Sequence, residues 1–169
     1  MCCKAMPQLE FAPITPGPDH PLGAQVRDLM MAEFSSYDPS EIQRDNWGEA
    51  TYSVLDLPNP EGLFKPVSPT QYYVLAREDR LYAAAGVKAD SAEVIAKDAW
   101  ELVTIAVPPH CRAAGYGREL LSRIEDLARE AGAQALVAQI TKPGFFAACG
   151  YGHVSGRSSS IMQKPFRRL

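Results

Sequence analysis

The sequence predicts an α/β fold, a mixed β-sheet with helices on both faces. Three observations predict it. Strand-like and helix-like segments follow the order β-α-α-β-β-β-α-β-α-β-β over 169 residues, with no internal repeat or domain boundary. That length suits one domain, residues 1–169, with a sizeable core. The stretch "AWELVTIAV" (99–107) is nearly continuous apolar sequence, the pattern of a strand covered on both faces at a sheet's centre. A glycine-rich turn and an amphipathic helix follow it at once.

Taken in order, "QLEFAPIT" (8–15) alternates in polarity and reads as the first strand. After the loop "PGPDHP", the segment 22–34 spaces Leu22, Val26, Leu29, Met30 and Phe34 along one helical face. "DPSEIQRDNW" (38–47) reads as a second short helix with Pro39 near its start. Four prolines within "PNPEGLFKPVSP" (58–69) make a rigid, irregular loop, and loops that long are often functional. "QYYVLAR" (71–77) and "RLYAAAGVKA" (80–89) are strands around the turn "EDR". A helix covers 117–131, with Leu120, Leu121, Ile124, Leu127, Ala128 and Ala131 as its buried stripe and Gly132 as its stop. "QALVAQI" (134–140) is the next strand and "KPGFFAACG" (142–150) a short helix. "HVSGRS" and "SSIMQKPF" form a closing hairpin with Gly156 near the turn.

Composition narrows the function. A net charge of −3 and a pI near 5.6 argue against a nucleic-acid partner. No apolar run approaches the roughly 20 residues of a membrane helix, and "MCCKAMPQLE" has no signal-peptide core. The expectation is a cytoplasmic protein without a membrane partner. Cys2, Cys3, Cys111 and Cys149 fit no zinc spacing, so no metal is expected. His110 and Cys111 are neighbours on an extended segment and point apart, which disfavours a Cys–His nucleophile. Cys149 reads as a small core residue.

The turn "RAAGYG" (112–117) is the chemically informative stretch. Gly115 and Gly117 let a ligand approach the backbone, and the helix they open offers free N–H groups and a positive dipole end. Together these bind an anion such as a phosphate. Arg112 adds a forked cation suited to phosphate oxygens. No Walker A sequence is present, and a dinucleotide fingerprint would need glycine where Leu120 stands.

The run "VPPHCRAAGYG" resembles the acyl-CoA motif of the GNAT superfamily of N-acetyltransferases, Gln/Arg-x-x-Gly-x-Gly/Ala, with Arg112, Gly115 and Gly117 at the fixed positions. "FFAACGY" (145–151) resembles that family's second motif, Phe-Tyr-x-x-x-Gly-Phe, at a matching distance. The resemblance spans about residues 71–166. It implies a sheet splayed between the parallel strands 100–107 and 134–140. It also implies acetyl-CoA as co-substrate, held by Ile105, Ala106, Val107, Arg112, Ala113, Ala114, Gly115, Tyr116, Gly117 and Phe146. The acceptor would be a small-molecule or peptide amine attacking the thioester directly. A homodimer is left open.

One acid lies inside the central strand. Glu101 is expected to share a strand face with Val103, Ile105 and Val107. An acid on such a face is uncommon unless it is paired or used. Burial in an apolar cleft raises a carboxylate's pKa toward working pH, which suits a general base. In the histone acetyltransferase branch of the resembled superfamily a glutamate of this strand is the base, and Glu101 takes that position. The bland reading is an acid at the strand's start paired with a basic residue. Many relatives carry a tyrosine acid where this chain has Phe146, so no general acid carries over. The rival function is a catalytically weak acyl-CoA-binding or sensor module on the same fold. Asp38, Glu41, Asp45, Glu49 and Glu61 make the first acceptor-side region acidic, which favours a cationic amine such as a polyamine, an aminoglycoside or lysine.

Overall fold

A computed structural model describes residues 8–33, 70–89, 97–139, 143–157, 159 and 161–167. The expected helix over 38–47, the proline-rich loop 58–69, the five acidic residues and the Cys2–Cys3 pair lie outside the described residues. Among those described, seven strands form one sheet. They are β1 (Glu10–Ile14), β2 (Gln71–Arg77), β3 (Arg80–Lys88), β4 (Ala99–Ala106), β5 (Ala135–Gln139), β6 (Gly152–His153) and β7 (Ile161–Pro165). Their spatial order is β1-β2-β3-β4-β5-β7-β6. Only β4 and β5 pair in parallel; the other pairs are antiparallel.

The helices are α1 (Pro21–Glu33), α2 (Tyr116–Glu130) and α3 (Pro143–Ala148). They cover both faces of the sheet, as the sequence predicts. On one face α1 buries Val26, Leu29 and Met30 against Tyr72, Val74, Ala76, Leu81, Ala84 and Ala106. On the other, α2 buries Leu120, Leu121, Ile124 and Ala128 against Leu75, Ala83, Ala85, Val87, Leu102, Leu136 and Ala138. Neighbouring residues of β3 therefore serve opposite cores, and the strand is buried from Leu81 to Lys88. A smaller apolar cluster of Ala99, Ala135, Val137 and Ile161 continues α1's face beyond β4.

Helix α2 ends as expected at Gly132, whose φ is +89°. The Ala133 N–H donates to the Ala128 carbonyl at 2.9 Å, closing the last turn. Across the closing hairpin the Val154 N–H donates to the Ile161 carbonyl at 3.3 Å, with Gly156 at φ +75° in the turn. No helix among the described residues is long and apolar enough to cross a membrane.

Candidate active site

The chain leaves β4 through Val107 and Pro108 and makes one 3-10 turn, Pro109–Cys111. The Cys111 N–H donates to the Pro108 carbonyl at 2.8 Å. Ala113 and Gly115 then take positive φ values of 61° and 88°. Alternating left-handed residues curl a backbone into a concave nest for an anion, and the strain at Ala113 marks a built turn. Gly115 is the N-cap of α2 and supplies no side-chain cap. The first helical bond runs from the Glu119 N–H to the Gly115 carbonyl at 3.0 Å. The N–H groups of Tyr116, Gly117 and Arg118 thus belong to a first turn without helical acceptors. A Cβ added at Gly115 would meet nothing within 4 Å, so the space above the turn is open.

The cation of the motif is partly committed. The Arg112 Nε donates to the Val107 carbonyl at 3.1 Å, and its guanidinium forms an ion pair with Glu33 in the last turn of α1. Arg112 therefore ties the anion turn to both β4 and α1. Tyr116 packs its ring edge-on against Tyr82, centroids 5.0 Å apart, and anchors the start of α2. Cys111 is buried and its thiol points at the Leu81 carbonyl at 4.0 Å, the setting of a structural cysteine. Phe146 lies in the α2-side core, edge-on to Tyr151 at 5.4 Å. The ring that reaches the turn is its neighbour Phe145, 3.6 Å from the Cβ position of Gly117.

Among the described residues the parallel pairing of β4 with β5 stops short of this turn. β4 and β5 are in register from Ala99 and Ala135 to Leu102 and Ala138. Beyond that, Thr104, Ile105 and Ala106 keep their β3 partners, Gly86, Ala85 and Ala84. A bulge also interrupts β4: Leu102 faces Val87 and Thr104 faces Gly86, leaving Val103 as the extra residue. The bulge corrects one expectation. Val103 stays with Glu101's face, but Ile105 and Val107 pack against the α2-side core, while Ala106 turns to the α1-side core. The extra residue shifts the alternation by one, which a strict period of two cannot register.

Glu101 sits one residue before the described pairing ends. It is 4% exposed. Its register partners are Val137 on β5 and Lys88 on β3, and Lys88 is 1% exposed. Residues directly paired in register project to one face, so the acid and the base share an interior surface. Lys88, Glu33 and Phe145 were not legible as site residues. Lys88 ends an apolar strand and reads as its boundary, and the other two approach the turn only through the fold.

Residues 25–151 match the acetyltransferase (GNAT) family. The chain belongs to the GNAT acetyltransferase family. The solved structures it is similar to include a GNAT family acetyltransferase from Brucella melitensis in complex with acetyl-CoA. That likeness has 16% identity and a TM-score of 0.55, covering 94% of this chain and 90% of the other. The ribosomal-protein-S18-alanine N-acetyltransferase from Escherichia coli is 13% identical with a TM-score of 0.57, covering 96% of each chain. An IAA acetyltransferase from Bacillus cereus is 20% identical with a TM-score of 0.53, covering 86% of this chain and 77% of the other. At these identities the likeness is one of fold. No curated protein matches the chain.

GNAT acetyltransferases use acetyl-CoA as co-substrate, and the site suits it. An uncapped helix N-terminus, the open space above Gly115 and the nest through Ala113 match a pyrophosphate. β4 carries a bulge at Val103, and its described pairing with β5 ends at Leu102.

Proposed function

We propose that this GNAT acetyltransferase moves an acetyl group to a primary amine, on a small molecule or a peptide, with Glu101 as general base. When bound, acetyl-CoA supplies the activated acetyl thioester. The N–H groups of the 113–118 turn hold its pyrophosphate, and the edge of β4 from Val103 to Ala106 aligns the arm. As the amine nitrogen attacks the thioester carbon the C–S bond breaks and CoA leaves as its thiolate, while Glu101 accepts the proton that the nitrogen loses. An ammonium with a pKa of about 10.4 is mostly protonated at neutral pH, so a fixed acceptor speeds the step.

The carrying observation is that Glu101 is buried near the end of the described β4–β5 pairing, beside the bulge. One observation favours the rival reading, a weakly active acyl-CoA sensor. Lys88 stands in register with Glu101 on the same face, so the acid has a cation near it.

Glu101→Gln separates the two. It keeps the shape and removes the proton acceptor. With an amine found by screening for CoA release, the rate is expected to fall by about 10²–10⁴ while acetyl-CoA affinity holds. The deficit shrinks toward alkaline pH, because free amine becomes abundant. Wild-type rates across a series from about pH 6 to 9.5 would remove Glu101 from the mechanism.

A further inference from the structure

The α1 face of the sheet changes character along its length. Under α1 the face is apolar, with Val74, Ala76, Leu81, Ala84 and Ala106. Polar groups begin at the next row, where the Tyr72 ring still joins the α1-side core and the Thr104 hydroxyl donates to the Met30 sulfur at 3.6 Å. Tyr72 is in register with Gly86, and Gly86 with Thr104. Thr70 precedes Gln71, the partner of Val87, and so stands beside Lys88, itself in register with Glu101. A polar band of Thr70, Tyr72, Lys88, Glu101 and Thr104 therefore crosses β2, β3 and β4 at the end of the face that carries Glu101.

Within this band two hydroxyls are unsatisfied. The Tyr72 and Thr70 hydroxyl oxygens are buried without a hydrogen-bond partner, and Tyr72 is only 2% exposed. Gly86 lets them converge. A Cβ there would lie 2.7 Å from Thr70 Cγ2, 3.1 Å from Tyr72 Cε1 and 3.3 Å from Thr104 Cγ2. A fold that clears a site for two hydroxyls and gives neither a partner bears an energetic cost twice over. Burial pushes the Tyr72 hydroxyl far above its usual range, so it stays a neutral donor.

We propose that Thr70 and Tyr72 form an oxygen-binding subsite of the acceptor pocket, which takes a carbonyl or carboxylate oxygen a few bonds from the reacting amine. The proposal rests on the reading of Glu101's surroundings as the acceptor side. Two donors in this band favour an oxygen acceptor on the substrate over a plain alkyl chain. Rows on one strand face repeat about every 6.8 Å and neighbouring strands lie about 4.8 Å apart. An aminoacyl amide of moderate length spans the band from Glu101 to the two hydroxyls.

The test uses the full chain with saturating acetyl-CoA. The probes are the series from glycinamide to 6-aminohexanamide, each set against the n-alkylamine of matched length. At one chain length the amide is expected to show a clearly lower KM than its alkylamine. Tyr72→Phe and Thr70→Val should each reduce that KM ratio by roughly fivefold, the effect of one hydrogen bond. Both variants remove an unpaired buried hydroxyl, so their melting temperatures should equal or exceed that of the wild type. An unchanged ratio, a wild type without preference at any length, or lowered melting temperatures from loss of a structural water would each overturn the subsite. Absence of transfer to every amine, with acetyl-CoA still bound in calorimetry, would overturn the transferase reading and the subsite with it.

Discussion

Arg112 shows how one side chain in a binding motif serves the fold as well. Its guanidinium is about half exposed and is engaged by Val107 and Glu33, so a pyrophosphate held as proposed would compete with Glu33 for it. Glu33→Gln removes that competitor. Acetyl-CoA affinity is expected to rise by about 0.2–1 kcal/mol, the range for an exposed ion pair, and calorimetry at two salt concentrations reads it. Unchanged affinity would mean that Arg112 acts only on the loop. Gly115 gives the sharper contrast. Its φ of +88° is unfavourable for a branched residue, and its side-chain direction points into open space, where the proposed pyrophosphate would lie. Gly115→Val should abolish measurable acetyl-CoA binding while most of the fold remains, as judged by circular dichroism. Retained affinity would place the phosphate elsewhere.

At the scale of elements, a polar knot ties the C-terminal half of α2 to its neighbours. Glu125 is 6% exposed in the helix. It accepts from the Tyr151 hydroxyl at 3.0 Å and from the Lys164 ammonium at 2.9 Å. Lys164 also donates to the Cys149 carbonyl at 3.0 Å, so α2, the end of α3 and β7 are joined at one point. Lys164→Met leaves the carboxylate with Tyr151 alone. Denaturant unfolding should show a loss of about 1–3 kcal/mol, the cost of a buried group left short of a partner. A loss below 0.5 kcal/mol (roughly the surface range) would mean that solvent replaces the ammonium. Much of the element pattern was legible. Period-3.6 spacing marked α1 and α2, and a nearly continuous apolar run marked β4, because those signals follow from local geometry. The bulge at Val103 was not legible, since it arises only where β4 is matched against β3.

For the whole molecule, the buried hydroxyls of Tyr72 and Tyr151 make stability depend on alkaline pH. Burial raises the Tyr72 hydroxyl, and burial followed by Glu125's charge and hydrogen bond raises that of Tyr151, both far above their usual value near 10. At these two positions the folded chain therefore keeps protons that the unfolded chain releases above pH 10. The unfolded state then binds fewer protons, so stability is intact below pH 10 and falls as pH rises beyond it. Each tyrosine contributes a slope of about 1.4 kcal/mol per pH unit. Tyr72→Phe should flatten the decline by one such slope in unfolding curves from pH 9 to 11. An unchanged slope would mean that Tyr72 ionises normally in the folded chain.

The sequence by itself determined the order of the described strands and helices, the glycine turn that opens α2, and the lone acid in the central strand. Each rests on residues close in the chain, whose backbone preferences and spacing act locally. Only the tertiary structure decided what surrounds them. It placed Lys88 opposite Glu101, Glu33 against Arg112, Phe145 rather than Phe146 at the turn, and two unpartnered hydroxyls above Gly86. These are contacts between segments far apart in sequence, set by strand register and sheet order, and register is fixed by packing rather than by any single stretch of chain.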